Sequence, residues 1–185
     1  MSTNRLRTLD QLELNDQKTV LCRVDFNVPL RKDQVADDTR IRAALPTIQR
    51  ILETGAKLVL CSHMGRPKGT RVPSMSLLPV AVHLQELLDT DLVFSHDTVG
   101  DAVAELIREQ PPGSVILLEN LRFDEREKSG DDVFARELSQ LADVFVNDAF
   151  GAMHRSHASI TGVANILPSA AGLLVQAEVE ALARL

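Results

Sequence analysis

Aromatic residues are scarce in this sequence, which has no tryptophan, no tyrosine and only six phenylalanines among its 185 residues. Proteins that hold single-stranded nucleic acids use aromatic side chains as stacking platforms. The formal net charge of -6 also disfavours general binding to the phosphate backbone of nucleic acids. We therefore predict no nucleic-acid partner. Any positive charge that serves an anionic ligand has to be local.

Long apolar runs are also missing, and cysteine is rare. No stretch approaches the roughly 20 apolar residues that cross a bilayer, and residues 1–10 are polar and lack the apolar core of a secretory signal. Cys22 and Cys61 both fall in predicted strands, and no N-x-[ST] sequon is present. These features predict a soluble protein with no membrane partner and a location in the reducing cytoplasm.

Several motifs that mark common catalytic and cofactor sites are absent. No G-x-x-x-x-G-K-[ST] and no G-x-G-x-x-G follows a predicted strand, and G-x-S-x-G, H-E-x-x-H and C-x-x-C are missing too. His154 and His157 are spaced as metal ligands can be, but no cysteine or clear third ligand lies near them. We predict that this chain binds no metal and no cofactor, and that side chains hold any anionic ligand.

Apolar stretches typical of strands alternate along the chain with amphipathic stretches of helical period. Strands are predicted at 18–25, 58–61, 91–95, 114–119 and 143–147, and helices at 77–88, 101–109 and 133–141. An earlier helix with apolar positions from 41 to 52 and a helical tail at 170–185 are also predicted. This order predicts a single α/β domain with a doubly wound, mostly parallel, Rossmann-like sheet of about six strands. The strongly charged segment 124–132 is predicted to be a solvent-exposed loop.

The first helix has two alternative starts. Asp37, Asp38 and Thr39 can cap a helix that begins at once, but Pro46 lies inside the apolar pattern. Either Pro46 kinks the helix, or the first turn lies nearer residue 43 and Arg40 precedes it. A cation at a helix N-terminus opposes the helix dipole. Arg40 therefore either serves an anion or pairs with Asp37 or Asp38.

Polar and cationic side chains follow the predicted strands at the points where they end. They are Asp25, Asn27, His63, Arg66, Arg122 and Arg155, with Arg40 near a helix start. Ligands of open α/β sheets bind beyond the carboxyl ends of the strands, so we expect these arginines to converge on one edge. Arginine suits bidentate binding of phosphate or carboxylate. The local alternatives are a polar turn around His63 and an Asx turn at Asp25 closed by Pro29.

Six motifs cover nearly the whole chain in order. They are Arg23-Val-Asp-Phe-Asn-Val-Pro29, Arg40-Ile41, Ser62-His-Met-Gly-Arg-Pro67, Ser76-Leu-Leu-Pro-Val-Ala81, Leu118-Glu-Asn-Leu-Arg-Phe123 and Val146-Asn-Asp-Ala-Phe-Gly151 with His154-Arg155. Together they resemble phosphoglycerate kinase, in its N-terminal domain only. The resemblance implies a triose-phosphate-binding domain over 1–172, the start of the interdomain helix over 173–185, and no C-terminal nucleotide-binding domain in this chain.

The resemblance also implies a role for each matching residue. Asp25 and Asn27 would hold the hydroxyl and carboxyl end of 3-phosphoglycerate, and Arg40 would be the catalytic residue that steadies the phosphoryl group in flight. The 3-phosphate would be gripped by His63, Arg66, Arg122 and Arg155. Within the same motifs, Phe26, Met64 and Gly65 complete the implied substrate-binding set. Met64, Met153 and Ser156 depart from the usual family residues in shape, and none removes a charge.

The family's reaction transfers a phosphoryl group between 1,3-bisphosphoglycerate and ADP. The resemblance therefore implies a monomeric glycolytic kinase that uses Mg-ADP/ATP in its full-length form, and an isolated chain that binds the triose phosphate but is inactive by itself. The alternative is a non-catalytic binding or interaction module of the same fold. Its terminal helix, whose apolar positions are Leu173, Leu174, Ala177, Leu182 and Leu185, would dock another chain through the stripe near Leu182 and Leu185.

Overall fold

A computed structural model describes residues 6–184 of the chain. The strands are β1 Thr19–Arg23, β2 Leu30–Arg31, β3 Gln34–Val35, β4 Lys57–Cys61, β5 Leu92–Phe94, β6 Val115–Leu117, β7 Val144–Asn147 and β8 Ser169–Ala171. The α-helices are α1 Thr39–Leu52, α2 Leu78–Leu88, α3 Asp101–Glu109, α4 Glu125–Ser129, α5 Asp132–Ser139 and α6 Leu173–Leu182. No helix within the described residues combines the length and apolar character needed to cross a membrane.

Six of the strands form one parallel sheet in the order β5-β6-β4-β1-β7-β8. The central strand is β1, in which Cys22 lies in register with Leu60 of β4 on one side and Val146 of β7 on the other. The chain first winds outward from β1 through β4 and later returns to its other side at β7. The predicted doubly wound, parallel α/β sheet of about six strands is therefore confirmed. A small antiparallel hairpin of β2 and β3 was not predicted.

Helices cover both faces of this sheet. Successive side chains of a strand point to opposite faces, so neighbouring residues of one strand pack in different cores. Val20 of β1 packs in the core that contains the buried faces of α1 and α2. Its neighbour Leu21 packs in the second core, which contains the buried faces of α3 and α5. The continuous apolar runs of β1 and β4 thus reflect strands that are buried on both faces.

The two cysteines are free and buried, one on each face of the sheet. Burial raises the pKa of both thiols, that of Cys61 to about 12 and that of Cys22 well above its ordinary value. Only the thiolate is a good nucleophile. Both residues are therefore packing residues with little reactivity at neutral pH.

The helix α1 begins at Thr39 and continues without interruption past Pro46. The carboxylate of Asp37 accepts a hydrogen bond from the backbone N–H of Thr39 at 2.9 Å, which satisfies one of the free donors at the helix start. Pro46 leaves the carbonyl of Arg42 without its usual helical donor. Of the two alternative starts, the earlier one is therefore observed, and it places Arg40 in the first turn.

Two predictions of local structure were wrong. The charged segment 124–132 is not a loop throughout, since α4 occupies Glu125–Ser129 and the side chain of Glu127 is fully buried. The tail begins as the edge strand β8 and only then becomes the helix α6. Short polar or small-residue segments carry no periodic signal of their own. Leu185, predicted as part of the apolar tail, lies outside the described residues.

The buried face of α2 provides a test of this packing. Leu84 is fully buried, whereas Val82 on the same helix is 57% exposed. We expect Leu84→Ala to lower the free energy of unfolding by about 2–5 kcal/mol, because it leaves a cavity in the core. The matched control Val82→Ala should change it by less than about 0.5 kcal/mol.

Urea denaturation followed by far-UV circular dichroism measures both effects, since the sequence has no tryptophan for fluorescence. Equal losses in the two variants would contradict the packing of α2 against this core.

Candidate anion-binding site

A cavity of about 490 Å³ lies at the carboxyl ends of the central strands. Its walls are formed by Asp25, Asn27, Arg40, His63, Gly65, Arg66, Arg122, Lys128, Gly151, Ala152 and Arg155. Five of these side chains are cations and only one is a carboxylate. A cleft lined by one sign of charge concentrates ligands of the opposite sign. The cavity is therefore suited to an anion.

The structure brings most of the predicted site residues together. All four arginines line the cavity, as do Asp25, Asn27, His63 and Gly65. The side chains of Phe26 and Met64 do not, because both are buried in the core. Their backbone N–H groups are instead bonded to the Ser62 hydroxyl at 2.9 Å and the Asn120 side-chain oxygen at 3.0 Å. The side chains of Phe26 and Met64 thus anchor the loops after β1 and β4 in the core.

The cation of Arg40 pairs across the cavity with Asp25, at 2.7 Å between Nη1 and Oδ2. The alternative partners are engaged elsewhere: Asp37 caps α1, and Asp38 bonds to Arg42 and His83 at 2.9 Å each. The Arg40 side chain is half-exposed, and exposed ion pairs contribute only about 0–1 kcal/mol. An anionic ligand can therefore replace Asp25 as the partner of Arg40 at little cost.

The imidazole of His63 is held from behind by Arg23, a fully buried residue at the end of β1. Arg23 Nη2 lies 2.9 Å from His63 Nδ1. A guanidinium group can only donate, so Nδ1 accepts and the neutral ring carries its proton on Nε2. Burial, with the nearby cations Arg23 and Arg122, lowers the pKa of His63 from 6.5 to about 2. At neutral pH His63 is therefore an uncharged N–H donor.

The loop that carries His63 and Arg66 is fixed by hydrogen bonds from three sides. Asn120 donates from Nδ2 to the Met64 carbonyl at 2.8 Å and accepts from the Met64 N–H at 3.0 Å. Asn27 Oδ1 accepts from the Gly65 N–H at 2.9 Å, and Arg122 donates to the Gly65 carbonyl at 2.7 Å. Gly65 has a φ of +58°, which glycine adopts without strain. The loop is therefore set before any ligand binds.

Repulsion between cations is concentrated at Arg122. Burial lowers its pKa, and Arg155, Arg23 and Arg66 lower it further. Its Nε atom is buried and has no hydrogen-bond partner among the described residues. An anion in the cavity would offset this repulsion. The arrangement can therefore bind phosphate or carboxylate oxygens through fixed N–H donors, with little covalent chemistry required of the protein.

Several residues of the site were not predicted. Arg23 lies in one of the motifs but was not predicted as a site residue, although a charge inside an otherwise apolar strand is a signal that could have identified it. Glu127 and Lys128 lie in the segment predicted to be a solvated loop, and nothing local distinguishes the buried Glu127 from its exposed neighbours. Ser159 follows the pair of histidines and carries no signal of its own.

The two histidines near Arg155 differ in their surroundings. His154 is exposed, whereas His157 is buried with Nδ1 at 3.7 Å from Glu127 Oε1. Within residues 6–184, no three histidine, cysteine, aspartate or glutamate side chains are grouped so as to hold a metal ion.

The lowered pKa of His63 makes a prediction about stability and pH. The unfolded chain binds a proton at this histidine below about pH 6.5, whereas the folded protein does not until about pH 2. Stability is therefore lost as the pH falls below 6.5, by about 1.4 kcal/mol per pH unit. We expect the free energy of unfolding to fall by about 2 kcal/mol more in the wild type than in His63→Gln between pH 6.5 and pH 5.

Urea denaturation at a series of pH values measures this difference. Parallel pH profiles for the two proteins would show that His63 titrates normally in the folded state.

Comparison with known proteins places this geometry in a family. A family profile described as phosphoglycerate kinase matches residues 9–185. The phosphoglycerate kinase of Thermomicrobium roseum is 52% identical over 179 residues, which cover 97% of this chain and 45% of the relative. The phosphoglycerate kinase of Moorella thermoacetica is 54% identical over 177 residues, which cover 96% of this chain and 45% of that relative. The chain thus spans less than half the length of these curated relatives.

A solved structure shows the same relationship in three dimensions. The crystal structure of phosphoglycerate kinase from Pyrococcus horikoshii matches with a TM-score of 0.88 at 36% identity, over 97% of this chain and 45% of that chain. The family profile matches this chain almost from end to end, and its fold matches a solved member of the family. This chain therefore belongs to the phosphoglycerate kinase family.

Proposed function

We propose that this chain is the triose-phosphate-binding part of a phosphoglycerate kinase, and that its cavity binds 3-phosphoglycerate and 1,3-bisphosphoglycerate. The observation that carries the proposal is the set of five cations and one carboxylate around a single cavity. A triose phosphate presents a dianionic phosphate at one end and a carboxyl group and hydroxyl at the other. The cavity offers several N–H donors for the first and acceptor oxygens for the hydroxyl.

The 3-phosphate would be bound by His63, Arg66, Arg122 and Arg155. The Asp25 carboxylate would accept from the triose hydroxyl, and the Asn27 amide would donate to the carboxyl end. Hydrogen bonds to charged groups contribute about 1.5–3 kcal/mol each, so three give roughly 5–9 kcal/mol. Immobilising a ligand costs at least about 4 kcal/mol. The net is then at most about 5 kcal/mol, so the isolated chain should bind with a dissociation constant of about 0.2 mM or weaker.

Arg40 would be the catalytic residue. Phosphoryl transfer spreads negative charge over the equatorial oxygens of the moving group, and a fixed cation stabilises that charge. Arg40 lies in the first turn of α1 and is half-exposed, and among residues 6–184 its side chain pairs only with Asp25. A loosely paired arginine at an open rim can turn to a phosphoryl group that arrives from outside the chain.

Mg-ADP/ATP would be bound in the part of the family's length that this chain does not match, and would supply or accept the phosphoryl group. The whole protein would then be a monomeric, cytoplasmic enzyme of glycolysis. Transfer would require the two parts to close around the cavity, which excludes water and aligns the reacting groups.

The domain division at residue 172 is part of this proposal. The helix α6 begins at Leu173, where the backbone N–H is bonded to Thr47 Oγ1 at 2.9 Å. The next N–H, that of Leu174, is bonded to Asp148 Oδ1 at 3.0 Å. These contacts join the start of α6 to α1 and to the loop after β7. We take residues 1–172 as the triose-phosphate-binding domain and 173–185 as the start of the interdomain helix, because α6 begins at Leu173.

Binding is tested by titrating the protein with 3-phosphoglycerate at low salt and following backbone amide NMR shifts. We expect shifts clustered at Asp25, His63, Arg66, Arg122 and Arg155. Arg66→Ala should weaken binding about 10- to 100-fold, because it removes a charged hydrogen-bond donor.

Two controls accompany this titration. Glycerol, which lacks the phosphate and carboxylate, should cause no clustered shifts. Arg108→Ala removes an exposed arginine of α3 that pairs with Glu105 outside the cavity, so its affinity should match the wild type. Binding that is equally weakened by the Arg66 and Arg108 variants would count against the cavity as the site.

Catalysis is tested by mixing the chain with a separately produced nucleotide-binding domain of a relative. Turnover of 3-phosphoglycerate with Mg-ATP should appear only in the mixture. Arg40→Ala should then lower kcat by about 10²–10³-fold, the usual effect of removing one transition-state donor. Arg42→Ala, on the same helix but outside the cavity, is the matched control. Self-association without any turnover in the mixture would favour the interaction module instead.

A further inference from the structure

Four buried side chains form a continuous chain of hydrogen bonds behind the cavity wall. It runs from Glu127 of α4 through Ser159 and Arg23 to His63. None of the four residues is more than 5% exposed. Only His63, at the end of the chain, lines the cavity. The other three residues do not line the cavity, and their hydrogen bonds reach it through His63.

The hydrogen-bonding chemistry assigns a direction to every link. Arg23 can only donate, so Ser159 Oγ accepts from Arg23 Nε at 2.9 Å. The single hydroxyl hydrogen of Ser159 is then left for Glu127 Oε1, at 2.6 Å, and the backbone N–H of Ser159 donates to Oε2 at 3.0 Å. At the other end, Arg23 Nη2 donates to His63 Nδ1 at 2.9 Å. No link can reverse while Arg23 stays charged and Glu127 ionised.

Charge balance explains why a carboxylate ends the chain. A buried guanidinium without a compensating charge is costly. Arg122, on which the charge of Arg23 acts, is itself a cation and only adds to the cost. Glu127 is fully buried on the far side of Ser159 and supplies the opposite charge. Its position therefore favours the orientation of Arg23 in which Nε faces Ser159 and Nη2 faces His63.

We propose that Glu127 and Ser159 are positioning residues, which act through Arg23 to hold neutral His63 with its proton on Nε2, so that the ring presents an N–H donor to an anion in the cavity. With the proton on Nδ1, the ring would instead present the Nε2 lone pair, which repels phosphate or carboxylate oxygens. The benefit to 3-phosphoglycerate binding rests on the proposed function, whereas the tautomer itself does not.

The surroundings of His63 make the tautomer decisive. The titratable and charged groups that act on its ring are Arg23 from β1, Arg122 from the turn after β6, and Arg155 and His157 from the segment after β7. All three arginines oppose a positive charge on the ring. Because His63 cannot become a donor by gaining a proton at neutral pH, only the position of its one N–H determines whether it can bind an anion.

The test is the tautomer of His63 in the ligand-free protein, read from the ¹⁵N resonances of its two ring nitrogens. In the wild type we expect a protonated Nε2 and an unprotonated Nδ1. In Ser159→Ala and in Glu127→Gln the two resonances should move toward each other, because the Nδ1–H form becomes populated. Affinity for 3-phosphoglycerate should fall about tenfold in the same variants.

Ser139→Ala is the matched control. Ser139 is also buried, but its hydroxyl donates at 2.7 Å to the carbonyl of Ala135 within α5 and takes no part in the chain. This variant should lose stability without any change in the His63 resonances. A purely structural role for Ser159 and Glu127 would give the same pattern in their variants, with stability lowered and the tautomer unchanged.

Wild-type resonances that show the proton on Nδ1, or unchanged resonances in both Ser159→Ala and Glu127→Gln, would overturn the proposal. If one variant fails to fold, the other still decides it. Absence of 3-phosphoglycerate binding to the wild type would overturn the proposed function alone, since the tautomer is measured without ligand.

Discussion

The buried guanidinium of Arg23 is the constraint on which the rest of the site depends. It ends the central strand of the sheet, fully removed from solvent, and its charge has to be satisfied by groups brought from distant parts of the chain. The Arg23 guanidinium donates to the Ser159 hydroxyl, to the Val24 carbonyl and to Nδ1 of His63. The position of β1 between β4 and β7 makes these contacts possible, because it places the ends of all three strands side by side.

The same sheet edge gathers like charges that would otherwise avoid one another. Parallel strands end at one edge, so the cations in the loops that follow them face a common cavity. The protein tolerates their repulsion in two ways. Arg66 and Arg155 remain exposed to water. The buried Arg23 and Arg122 donate to backbone carbonyls, and the buried carboxylate of Glu127 lies behind Arg23 on the far side of Ser159. A phosphate in the cavity would offset the remaining repulsion between these cations, most of all at Arg122.

The parts of this arrangement that could be predicted are those with a local signal. The segments 20–22 of β1 and 58–61 of β4 are continuous apolar runs because both faces of the sheet are covered. The helices α2 and α3 repeat their apolar residues at helical spacing. His63 and Arg66 could be placed at a strand end because the apolar run of β4 stops just before them. Phe26 and Met64 share those motifs but point into the core, since neighbouring residues of one loop need not face the same way.

What the sequence by itself determined is the order of strands and helices, the parallel sheet and the side of it on which the cations lie, because periodicity and strand ends are properties of neighbouring residues. Only the tertiary structure decided which charges are buried and which partners they have. Glu127 and Ser159 are 32 residues apart, and Ser159 and Arg23 are 136 apart. Such pairs carry no local pattern, because their contact exists only once the sheet has formed and water has been excluded from between them.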